Sequence, residues 1–295
     1  MLFALLTVLC WSSSSIASAR SAKHLGPGLA NFCRLIIASI ILAGWLFAVG
    51  PASWGPAAWW FVASGVIALG FGDTCLFISY QRLGARLPAL FTHCLGAPLG
   101  AFIEWLWLGT ALHPAEVLWM GVILGGVALA LIPGRDEDHP LAGQFAWGCL
   151  FGVLSAVGLA LGAVTSRSGY AAAIAAGTPM PGLDAALLRN LGGVVFMPLV
   201  LLLGRGAETR TRPAWRIAWP WLLATSILGP ALGIAAYQTA LARLPAGIVQ
   251  AVLALVPVVV IPLVWWFDGE RPRPRGLIGG LIGAAGVAGL AIARS

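Results

Sequence analysis

Charge is what this chain lacks most. Only 9% of its 295 residues are Asp, Glu, Lys or Arg, against roughly 25% in an ordinary soluble domain. Such a chain cannot cover itself for water, so most of its exterior must meet another medium. Five cysteines are present, but Cys10, Cys33, Cys75, Cys94 and Cys149 all fall in apolar runs, and no Cys-x-x-Cys or Cys/His ligand spacing occurs. That excludes a zinc site or a redox pair of the usual kinds and leaves the thiols as small buried hydrophobes. A phosphate-cradling P-loop, a Gly-x-Ser-x-Gly nucleophile turn and a helical His/Glu metal pair are also missing. The sequence therefore implies no cofactor, no metal and no enzyme activity, and an intramembrane enzyme stays a remote alternative. No sizeable polar segment stands apart as a soluble domain.

What the chain has is apolar length. Hydrophobic residues make up 60% and the mean hydropathy is +0.93. The apolar runs are continuous, about the ~20 residues that a spanning helix needs, and they lack the alternation of barrel strands. Backbone polar groups in hydrocarbon must bond to one another, which leaves helices. The expected fold is an all-α integral membrane protein with ten transmembrane helices, at roughly 2–19, 29–49, 57–80, 86–108, 115–133, 143–165, 184–204, 217–240, 245–267 and 276–293. The first run ends in Ile16-Ala17-Ser18-Ala19, as a signal peptide would, but lacks a basic segment before it, so it reads as a span. Breakers such as Gly26-Pro27-Gly28, His113-Pro114 and Pro272-Arg273-Pro274 separate the runs, and tryptophans gather near their ends.

An internal repeat organises these spans. Tyr80-Gln81-Arg82-Leu83-Gly84-Ala85-Arg86-Leu87-Pro88-Ala89 returns 157 residues later as Tyr237-Gln238-Thr239-Ala240-Leu241-Ala242-Arg243-Leu244-Pro245-Ala246, identical at seven of ten positions. Arg34 and Arg189 also correspond, as do Gly121/Gly125 and Gly279/Gly283. The chain divides into a first five-helix repeat at 1–134, a linker loop at 135–142 and a second five-helix repeat at 143–295. Five is odd, so the second repeat must enter the bilayer inverted. Inverted repeats enclosing a midplane site are a transporter architecture.

These features resemble the EamA-type members of the drug/metabolite transporter superfamily. The resemblance rests on two five-helix halves, an Arg early in spans two and seven, the Leu-Pro-Ala entry to spans four and nine, and Asp268-Gly269-Glu270-Arg271 before the last span. It implies a secondary transporter of small organic metabolites such as amino acids or amines, working by alternating access and lying in a bacterial cytoplasmic (inner) membrane. The sequence departs from the family at Gly109-Thr110-Ala111, Ala97-Pro98 and Val256-Pro257, where the family has carboxylates, so no role for those groups is carried over.

Polar groups inside apolar spans are the candidates for function. Trp11, Ser15, Asp73, His93, Glu104 and Gln250 are expected to line a central cavity. Trp11 and Ser15 share a stripe with Ser18, and the other serines of Ser12–Ser15 suit bonds between helices. The repeat matches Asp73 to Pro230, which places a kink beside a cavity in both halves. It also matches His93 to Gln250 on opposite walls. Glu104, eleven residues after His93, reads equally as groove lining or as an interfacial anchor beside Trp105. Tyr80/Gln81 and Tyr237/Gln238 are expected to cap spans at the interface, and Arg34 and Arg189 to snorkel there, with the holding of an anionic substrate as the alternative for either arginine. The Gly-x-x-x-Gly pairs let helices pack closely in a monomer or a homodimer.

Partners expected are a small-molecule substrate and the lipid bilayer. Proton coupling would need Asp73, Glu104 or His93 to titrate, and facilitated diffusion stands equally open. A non-transporting scaffold or lipid-flippase subunit is the alternative from another class. The net charge of +7 sits in short loops, which fits membrane topology and not nucleic acid. Loops after odd-numbered spans hold twelve Lys or Arg and the other side three. The charge rule thus sets both termini outside the cytoplasm, whereas the resemblance implies both inside. The size of the bias favours the charge rule.

Overall fold

The computed structural model describes residues 1–50, 54–108, 113–131, 142–204, 213–243, 249, 252–269 and 274–293, and the regular structure among them is helical throughout. In chain order the helices are α1 (Leu2–Leu25), α2 (Pro27–Val49) and α3 (Ala58–Leu83). Next comes α4, made of Arg86–Leu90, Phe91–Leu95 and Gly96–Leu108 end to end. After it come α5 (Pro114–Leu131), α6 (Ala142–Ala175), α7 (Gly182–Gly204), α8 (Trp215–Leu241), α9 (Val256–Asp268) and α10 (Pro274–Ala293). Seven of them are long and apolar enough to cross a membrane among the described residues, and Pro114–Leu129 and Val256–Phe267 are shorter apolar helices.

Local chemistry sets several boundaries. Gly26 takes a φ of 83°, open to glycine at little cost, and donates its N–H to Ala22 O at 2.9 Å, while Pro27 starts α2 at a position needing no N–H. Helix α5 starts at Pro114, with the Glu116 carboxylate accepting the His113 backbone N–H at 2.7 Å. That is half of a capping box.

Two helices outrun their expected spans. Helix α1 continues to Leu25, so Arg20 and Lys23 lie on it and not in a loop; the Arg20 guanidinium sits 4.2 Å from the centre of the Trp221 ring and donates to Phe267 O at 2.7 Å. Helix α6 runs 34 residues to Ala175 instead of ending near 165. Tyr170-Ala171-Ala172-Ala173 offers no breaker, and alanine favours the helix. At ~1.5 Å per residue α6 is about 50 Å long, well beyond the ~30 Å hydrocarbon layer.

Packing joins the halves. Helix α1 lies on α8 and α9, α6 lies on α3 and α4, α2 on α7, and α5 on α10. Exchanging each helix in these pairs for the one five places away returns the same pairs, although the contacts of α1 with α2 and α3 have no counterpart of similar extent among the described residues. The interior is unusually polar: Arg34, Arg189, Asn31, Asn190, Gln238 and several serines are buried. The exterior is apolar, with Phe47, Val195, Leu203 and Trp266 all more than 70% exposed. Polar inside and apolar outside is the arrangement that a lipid solvent selects, and water would punish it.

Candidate functional site

A cavity of about 590 Å³, counting the part that opens outward, lies among α1, α2, α3, α4, α6, α7 and α8. Both halves build it. Helical irregularities border it: Val66–Gly72, just before Asp73, and Ile227–Gly233, which contains Pro230, both wind as π-helix. A third π turn, Phe91–Leu95, carries His93. Each π turn shifts the register and leaves carbonyls that normal helix bonds do not satisfy, which is why such turns gather at working sites. Here side chains take up two of these carbonyls. Asn31 Nδ2 donates to Leu69 O, and Asn190 Nδ2 donates to Pro230 O, both at 3.0 Å.

Helix α1 gives the cavity its aromatic and hydroxyl wall. Trp11 stacks on His93 with ring centres 5.5 Å apart and tilts against Tyr237 at 5.1 Å. Its indole fits because residue 233 is glycine; a Cβ there would stand 2.5 Å from Trp11 Cδ1. Ser15 Oγ donates to Trp11 O at 2.8 Å and accepts from the Tyr80 hydroxyl at 3.1 Å. Ser14 and Ser18 reach Thr225 Oγ1 on α8 at 3.1 and 2.6 Å. Ser12 donates to Val256 O at 3.3 Å. The serine run thus bonds α1 to both helices it lies on.

Charge enters from α2, α3 and α7. Arg34 and Asp73 form a buried ion pair on the cavity wall. Asn31 Oδ1 accepts from Arg34 Nε at 2.9 Å, and the Phe77 ring lies 4.7 Å below the guanidinium. Arg189 also lines the cavity and is wholly buried. Its Nη1 donates to Gln238 Oε1 at 3.4 Å and the Tyr237 ring is 5.8 Å away. Both arginines therefore stay inside the helix bundle and do not snorkel. Each lies seven residues into its helix, about 10 Å from the end, and each finds interior polar partners.

Of the residues singled out by sequence, Trp11, Ser15, Asp73 and His93 line this one cavity. Gln250 lies outside the described residues. Glu104 is on α4, with its side chain outside the description. Tyr80, Tyr237 and Gln238 are interior and not interfacial; only Gln81 of that set is exposed. Sequence reasoning did not single out Ser14 or Thr92 as lining groups, and for Arg34 and Arg189 it favoured the interface over the cavity that both line. For the arginines, the repeat that pairs Arg34 with Arg189, together with their depth, was the available signal. The Gly279/Gly283 face packs against Gly126 of α5 within the chain, where a Cβ on Gly126 would meet Gly283 N at 2.7 Å, while Gly121 and Gly125 face open space.

Comparison with known proteins adds a family. No curated protein matches. Among solved structures, one titled only as the crystal structure of a protein superposes with a TM-score of 0.67 at 19% identity, covering 98% of this chain and 94% of its own. At that identity the likeness speaks for the fold alone. The profile of the EamA-like transporter family matches twice, over residues 1–132 and 146–292, and so takes in nearly the whole sequence. This chain belongs to the EamA-like transporter family.

Proposed function

We propose that the protein is a secondary transporter of small organic metabolites, working by alternating access through the cavity between its halves. One observation carries the reading: a cavity that holds polar side chains and a buried ion pair, walled by residues from both halves, sits inside a molecule with an apolar exterior. Ionisable groups at that depth are costly unless they serve a solute or an ion. The halves are taken as repeats 1–134 and 143–295 joined by 135–142, ten spans in all, with the second repeat inverted about an axis in the membrane plane. The main packing pairs, which map onto one another when each helix is exchanged for its counterpart, support the two-repeat reading, and the odd number of spans per repeat supports the inversion. Swapping the conformations of two such repeats would close the cavity on one face and open it on the other. Trp11, Ser15, Asp73 and His93 are the proposed contacts to substrate, in an inner-membrane protein of a bacterium. The π turns beside Asp73 and Pro230 are the proposed flexing points.

Counterflow in proteoliposomes tests the reading. Vesicles loaded with pooled metabolites should take up labelled pool members faster than protein-free vesicles. Asp73→Asn should lower that uptake by far more than it lowers folded protein in the membrane. Equal losses would return Asp73 to a structural role, and no exchange by the wild type would favour a scaffold or flippase subunit.

A further inference from the structure

Two guanidinium groups stand on the cavity wall, and among the described residues only one has a carboxylate. Arg34 is paired with Asp73. Arg189 has one bond to a neutral oxygen, long at 3.4 Å, and its Nε has no hydrogen-bond partner. A buried cation without a counter-charge is strongly unfavourable. The internal repeat explains the vacancy in chemical terms. Asp73 serves Arg34, and the position matching Asp73 in the second half, which lines the same cavity as Arg189, is Pro230. A second buried polar atom on the same wall, His93 Nδ1, is also without a partner.

Resting on the transport reading above, we infer that the cavity takes a small organic monoanion, a carboxylate without a compensating amine, whose oxygens bond to Arg189. The charge count points this way. Arg34, Asp73 and Arg189 together carry one surplus positive charge, and a monocarboxylate cancels it. An amine would raise the surplus, and its natural partner, Asp73, is already engaged by Arg34. A zwitterionic amino acid would leave the surplus untouched. A phosphate dianion would overshoot it. The guanidinium offers a planar fork that suits a carboxylate, and in a site withdrawn from water such charge-assisted bonds are at their strongest.

The test compares matched probes on the purified full-length protein, read as ligand-dependent shifts in melting temperature and titrated to Kd. One set is 3-phenylpropionate, phenylalanine and phenethylamine; the other is hexanoate, norleucine and pentylamine; phenyl phosphate is added. At least one carboxylate should bind about tenfold or more tightly than its own amino acid and amine, the effect of one charge-assisted bond. Arg189→Gln should erase that preference. Pro230→Asp, which places a carboxylate where the repeat has Asp73, should erase it too, and it adds a partner for Arg189 in case the first variant fails to fold. Preference for the amine, the amino acid or the phosphate overturns the inference, as does a preference that survives both substitutions. Absence of any shift with millimolar carboxylate overturns it as well. Carboxylate binding without counterflow would contradict the transport reading and leave this assignment standing, whereas counterflow of amines without carboxylate binding would do the reverse.

Discussion

Consider what happens when Arg34 and Asp73 are parted. Both side chains are largely withdrawn from solvent, 7% and 20% exposed, so removing either partner strands a charge where water solvates it poorly. Breaking a buried pair in this way costs about 3–5 kcal/mol. The two single substitutions should differ. Asp73→Asn leaves Arg34 its bond to Asn31 and the Phe77 ring, which argues for about 3 kcal/mol, the lower end of that range. Arg34→Gln leaves the Asp73 carboxylate with no hydrogen bond from a charged donor, and belongs at about 4 kcal/mol or above. Replacing both with apolar residues of similar volume, Arg34→Met with Asp73→Leu, removes both desolvation penalties and should come within about 1 kcal/mol of the parent. Reversible unfolding in mixed micelles, followed by tryptophan fluorescence, would read all three. Additive losses in the double variant, or single losses below about 1 kcal/mol, would refute the claim that this pair is buried and coupled.

Two further outcomes follow from particular contacts. Gly126→Ala should loosen the α5–α10 pair by about 1–3 kcal/mol, because its Cβ meets the backbone of Gly279 and Gly283. Gly125→Ala, with nothing within 4 Å, should be close to neutral in the same unfolding assay. For orientation, a cysteine placed at Ala207 should resist an impermeant maleimide in intact cells if the Arg-rich side is cytoplasmic; rapid labelling would reverse the assignment.

The architecture was legible because lipid imposes a simple rule on sequence: each span must be apolar for about twenty residues, and the repeat block announces itself by identity. Half the cavity was legible for the same reason, since Asp73 and His93 are polar residues in apolar runs. Depth was harder to read. Arg34 and Arg189 begin their helices closely enough to suggest snorkelling, yet each is seven residues in, and whether a long side chain reaches the interface or a neighbour depends on helices far away in sequence. Tyr237 and Gln238 look like span ends but are buried, Tyr237 against Trp11 of the other half and Gln238 against Tyr170 and Arg189 of its own. The tail of α6 was missed because the polar Ser166-Arg167-Ser168-Gly169 stretch reads as a loop, although the helix continues through it to Ala175. That Arg189 has no carboxylate paired with it among the described residues is a matter of how the helices come together, and no single stretch of sequence records it.

Alternating access through the cavity is the central claim, and Ser15 is the place to test it. Its hydroxyl lines the cavity and is buried, and cysteine is nearly the same size. With Cys10, Cys33, Cys75, Cys94 and Cys149 replaced, Ser15→Cys would be exposed to a charged, impermeant methanethiosulfonate from each side of sealed, oriented vesicles in turn. The account predicts modification from both sides, slowed from both by a transported substrate. Modification from one side only, under every condition, would contradict it.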